Sequence, residues 1–113
     1  MPTYIFTYHQ PAGYVPGSDT TVTAAWEAFF ERIGDNVVDP GQPVFDRTTL
    51  GEIGSSTQLG GYSVVTATNL AEAAALAGGC PSLQRGGGVQ IGELAELPPE
   101  HPASRLRERL SQA

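Results

Sequence analysis

Residues 61–81 read GYSVVTATNLAEAAALAGGCP, and three patterns succeed one another within them. Tyr62–Ala67 is β-branched and apolar, the composition of a buried strand. Asn69 stands three residues before Glu72, the spacing of a capping box with Asn in place of Ser or Thr. Leu70, Ala73, Ala74 and Ala77 then make a narrow stripe of small side chains at helical spacing, so this helix is expected to lie close to its sheet. Gly78-Gly79 ends it, and Pro81 prevents it from resuming. A strand running straight into a capped helix is half of a crossover unit, and the rest of the chain is read outward from it.

Downstream, Val89–Leu94 alternates as a further strand, entered through Gly86-Gly87-Gly88. Upstream, Thr3–Tyr8 (TYIFTY) is β-branched and aromatic on both faces and reads as a first strand, ending at His9-Gln10-Pro11. HQPAGYVPGSDTT has two prolines, two glycines and no period, and reads as a loop. Val22, Trp26, Phe29, Phe30 and Ile33 fall on one wide helical face. Asp19, Thr20 or Thr21 is the expected cap, and Gly34 the expected left-handed terminator. Asp39-Pro40-Gly41 is a turn, which sets the second strand between Pro43 and Ile53 and leaves Gly54–Gly60 as a polar connection.

The expected order is strand, helix, strand, strand, helix, strand. Two split right-handed crossovers on one antiparallel sheet satisfy it: an α+β, ferredoxin-like βαββαβ arrangement with both helices on one face. The first and third strands should be central, flanked by the fourth and second. Residues 1–97 form this domain; 98–113 form a proline-rich linker and a short charged C-terminal helix without a convincing apolar face. An antiparallel sheet open to water shows a polar face, whereas the first and third strands here are apolar on both. A second protomer is the simplest cover, so a homodimer is expected.

Length and composition fit that reading. The chain has 113 residues, 40% of them hydrophobic, enough for one domain. No stretch approaches the ~18 consecutive apolar residues of a membrane span, and the N-terminus has no basic region of a signal peptide. One cysteine, Cys80, forms no internal disulfide, in keeping with a cytoplasmic location. Six basic against twelve acidic residues give a net charge of −6, which repels phosphate backbones and argues against nucleic-acid binding.

The chain resembles the YCII-related family of small dimeric α+β barrel proteins. YIFTYH, VVDPGQPVFDR, GGYSVVTATNLAEAAALAGGCP and GGGVQIGEL carry the resemblance, in order, over residues 3–95. Relatives often place a histidine directly after the cysteine–proline pair, where this chain has Ser82. The family is mostly of undefined activity; some relatives look like enzymes using a histidine and an aspartate, and others are joined to transcription factors.

In this topology the end of the first strand meets the start of the fourth, so His9 and the GCPSLQRGGG loop should converge. Gly86, Gly87 and Gly88 permit close backbone approach and expose amides suited to an anion. A nucleotide loop needs a strand before its glycines and a helix after them, the reverse of the order here. His9 is the acid–base candidate, against the plainer reading of a strand-end histidine bonded to the loop. The resemblance implies Asp46 as its orienting carboxylate; otherwise Asp46 is a solvated strand-edge charge. Arg85 is either a carboxylate clamp or a surface charge, and Trp26 and Tyr62 either core or the walls of an apolar pocket. Cys80 follows a helix C-terminus, which favours a buried structural thiol over a nucleophile. His101 carries no expected role. No His or Cys pair has metal-ligand spacing, and no motif implies a cofactor. Two functions remain side by side: cofactor-free proton transfer or elimination on a small organic molecule, or a non-catalytic ligand-binding or association module.

Overall fold

A computed structural model describes residues 1–15 and 20–112, with Thr20 and Thr21 described in their helical backbone only. The elements are β1 (Thr3–Pro11), α1 (Thr20–Ile33), β2 (Val37–Asp39), β3 (Thr57–Thr66), α2 (Leu70–Ala77), β4 (Gly88–Leu94) and α3 (Pro102–Ser111). Short 3₁₀ turns cover Gly34–Asn36 and Pro81–Arg85. The sheet is antiparallel throughout, in the order β2-β3-β1-β4, so β1 and β3 are central. Over the described residues the chain is thus α+β, with one four-stranded antiparallel sheet and three helices.

Alternation along β1 places the core. Tyr4, Phe6 and Tyr8 are buried while Thr3, Ile5, Thr7 and His9 are half-buried on the other face. Their β3 partners follow the same parity, with Gly61, Ser63 and Val65 inward and Tyr62, Val64 and Thr66 outward. Phe29 and Ile33 of α1, Ala67 just after β3, Ala73 and Ala77 of α2, and Cys80 complete the buried cluster. The small side chains of α2 let it approach the sheet closely, as the alanine stripe implied. Asn69 caps it, Oδ1 accepting from Glu72 N at 2.9 Å while Glu72 Oε1 accepts from Thr68 N at 3.1 Å. Arg32 ties the two helices together: Nη2 donates to Leu76 O at 2.8 Å and the guanidinium lies over the Phe29 ring.

Four expectations need correction. The second strand is Val37–Asp39, upstream of the Asp39-Pro40-Gly41 turn rather than after it. Beyond it a single bridge, Pro43 to Gly61, Val44 N→Gly60 O at 3.0 Å and the Ser63 hydroxyl's bond to Pro40 O hold the chain to β3. Pro40 and Pro43 have no N–H to give to a ladder, and residues 45–57 are exposed. Second, β3 begins at Thr57, inside the segment expected to be a polar connection. Third, Gly34 has no positive φ; α1 tightens into a 3₁₀ turn instead. Fourth, His101 has a role, capping α3 through Nδ1, which accepts from Ala103 N at 3.0 Å. Among the cap candidates for α1, Asp19 and the side chains of Thr20 and Thr21 lie outside the described residues.

Candidate functional site

The apolar face of α1 divides. Phe29 and Ile33 enter the core, whereas Val22, Trp26 and Phe30 are only half-buried and form one wall of a cleft. Tyr8 and Gln10 at the end of β1, Tyr14, the Pro40–Pro43 segment, Phe45 and Tyr62 also line it. The cleft encloses about 370 Å³, within the range of small-molecule pockets. Its base is aromatic. Tyr8 meets Trp26 edge-to-face at 4.7 Å between centroids, and Trp26 stacks on Phe30 at 5.8 Å.

Local backbone chemistry shapes the wall. Gly41 is in the left-handed region at φ 78°, and a Cβ there would overlap the Tyr62 carbonyl, so only glycine lets this segment lie so close to β3. Ser63 fixes it from below, donating to Pro40 O at 2.7 Å while accepting from the Tyr8 hydroxyl at 2.9 Å. On the other side the Gln58 amide holds the 13–14 turn, with Nε2 donating to Tyr14 O at 3.0 Å. Burial pushes the Tyr8 phenol up to about 12, more than its bond to Ser63 pulls it down. It therefore stays neutral near pH 7. Among the described residues, no carboxylate, imidazole or thiol lines the cleft.

The residues singled out in the sequence fall into separate places. Trp26 and Tyr62 both border the cleft, Tyr62 from the outward parity of β3, where its carbonyl lies against Gly41. His9 does reach the glycine loop through its backbone: it pairs with Gly88 across the sheet, and a Cβ at Gly87 would overlap the His9 carbonyl oxygen. Its ring, however, is bonded to Thr7 Oγ1 at 3.0 Å on the face away from the helices. Asp46 is exposed in the β2–β3 connection, and among the described residues no hydrogen bond joins it to the His9 ring. Gly86, at φ 80°, terminates the Pro81–Arg85 turn; Gly86, Gly87 and Gly88 line neither the cleft nor the smaller cavity beside it. Arg85 lines that smaller cavity, with Ser82. Cys80 is fully buried; burial pushes its thiol up, partly offset by the backbone amides of Ser82 and Leu83.

Comparison with protein-family models, with curated proteins and with solved structures finds no match to this chain. The site is therefore read from its own geometry. Gln10, Tyr8 and Tyr14 were missed in the sequence as cleft residues. Tyr8 and Gln10 share one parity of β1 and follow its core stripe, a signal that was present; the position of Tyr14 depends on the Gln58 contact, which is not local.

Proposed function

We propose that this protein binds a small, largely apolar aromatic molecule in the cleft between α1 and the Pro40–Pro43 segment. The observation that carries the reading is the half-exposed Trp26–Phe30 stack with Tyr8, facing a 370 Å³ cleft rather than completing the core. Aromatic side chains left open in this way offer stacking surface that a flat ligand buries. Binding without catalysis is favoured over acid–base chemistry because the His9 ring bonds to Thr7 and not to Asp46, and the Tyr8 phenol in the cleft is held neutral.

The reading includes a ferredoxin-like protomer of the YCII type, supported by the chain order of the strands and α1 and α2, and by the β2-β3-β1-β4 sheet. It also includes a homodimer. Ile5 and Val64, paired at the centre of the helix-free face, are only half-buried, and Leu59 and Leu94 at its margins are exposed. Phe45, Leu50 and Ile53 are exposed on the β2–β3 connection. A second copy removes such surface from water.

Native mass spectrometry of the expressed protein tests the binding reading by recovering the co-purified ligand. Thr23→Trp, which places a large ring at the cleft wall from an exposed position, should abolish that ligand peak, while His9→Ala should retain it. Loss of the ligand in His9→Ala with retention in Thr23→Trp would move the site to the other face.

A further inference from the structure

Among the described residues, two buried side-chain atoms hydrogen-bond to nothing: Gln10 Oε1 and Ser82 Oγ. Ser82 is 5% exposed, and although its hydroxyl lies near enough to the Cys80 sulfur to affect it, the pair falls outside hydrogen-bond geometry. Buried polar atoms without partners are rare and costly, so two belonging to one site need a cause. Both residues line a single small cavity of about 20 Å³. That cavity shares Gln10, Tyr14, Val22 and Trp26 with the aromatic cleft, so the two adjoin across these side chains.

We propose that this small cavity receives a hydroxyl group of a ligand whose aromatic body occupies the cleft, so that the ligand class is a phenol or an aryl alcohol. The inference rests on the cleft reading above. Size supports it first: roughly 10–15 Å³ of such space holds one water-sized group, so the cavity takes one oxygen and not the three heavy atoms of a carboxylate. Chemistry supports it second. Gln10 Oε1 accepts, and the Ser82 hydroxyl both donates and accepts; a ligand hydroxyl answers both at once. With the Gln10 amide turned over, its nitrogen donates instead, and a hydroxyl still satisfies it.

The soft terminal torsion of Gln10 and χ1 of Ser82 let either oxygen turn to a group placed between them. Gly60 is part of the arrangement, since a Cβ there would come within 2.7 Å of the Gln10 amide carbon and displace it.

The test uses the full chain labelled with ¹⁵N. Trp26 is the only tryptophan, so a single indole N–H resonance reports the cleft during titration with 2-naphthol, its near-isostere 2-methylnaphthalene, and 2-naphthoate. The expected result is that 2-naphthol binds on the order of tenfold more tightly than 2-methylnaphthalene, the yield of about one hydrogen bond. Ser82→Ala, checked for an unchanged melting temperature, should reduce that preference to about twofold or less. Equal binding of 2-naphthol and 2-methylnaphthalene would overturn the hydroxyl inference and leave the cleft reading intact. Tighter binding of 2-naphthoate would overturn it in favour of an anion at Arg85. Failure of all three to move the indole resonance would remove the cleft reading and this inference with it. The comparison in the unmutated chain decides the matter even if Ser82→Ala folds poorly.

Discussion

Gly87 shows what close backbone approach means at a single residue. Its φ is not in the positive region, yet the space for a Cβ is taken by the His9 carbonyl. The glycine serves the close approach of β4 to β1. Gly87→Ala should lower stability by about 1–3 kcal/mol, the usual cost of forcing atoms into a filled site, whereas Gly88→Ala, with open space around its Cβ position, should stay within ~0.5 kcal/mol. Thermal denaturation of the two variants side by side checks this. Tyr8 gives a pH dependence. Its folded-state pKa, about 12, lies above the ordinary ~10 of an unfolded tyrosine. Below pH ~10 its contribution to stability is complete, and it is lost as pH rises from ~10 towards 12, because the unfolded chain gives up the proton first. Melting temperature followed over that interval should fall, and Tyr8→Phe should flatten the fall. A Tyr8→Phe profile as steep as the parent's would assign the alkaline loss to another group.

At the scale of elements, legibility followed locality. The Asn69–Glu72 cap, the alanine stripe of α2 and the parity of β1 are set by residues a few positions apart, and each could be read from its spacing. The second strand could not. Its partner is chosen by Gly41 and Pro43 lying against Tyr62 and Gly61, a relation across some twenty residues that no local pattern expresses. The candidate site divides in the same way. The convergence of His9 with the glycine loop came from topology and holds for the backbone, while the cleft depends on which part of the α1 face the sheet leaves uncovered. The helix α3 is a third case. It is ten residues long with no buried side chain, held at one end by His101 and by Ser104 Oγ→Leu97 O at 3.5 Å. Helices under ~12–15 residues are marginal without packing. Removing residues 98–113 should therefore leave the melting temperature within a few degrees of the full chain. A larger drop would mean that α3 docks on the body, within one protomer or between two.

For the whole molecule the open question of assembly lies on the helix-free face, where Ile5 and Val64 sit among Thr3, Thr7, His9 and Thr66. Light scattering at micromolar concentration should give twice the chain mass of 11.9 kDa. Val64→Glu should reduce it to one chain mass with the far-ultraviolet spectrum preserved, since a charge at a dry interface costs far more than one facing water. A chain that is monomeric from the outset would end the dimer proposal and leave that face as the solvated side of the sheet.

The buried position of Cys80 has one consequence for the energy landscape. It is the only thiol in the chain, it has no exposed surface, and it lies where α2 hands over to the Pro81–Arg85 turn. A thiol reagent reaches it only when that junction opens, so the rate of its modification in the native protein is a clock for that opening. Junction and core then either breathe separately or yield together, and one sulfur atom distinguishes a cooperative fold from one with a loose corner.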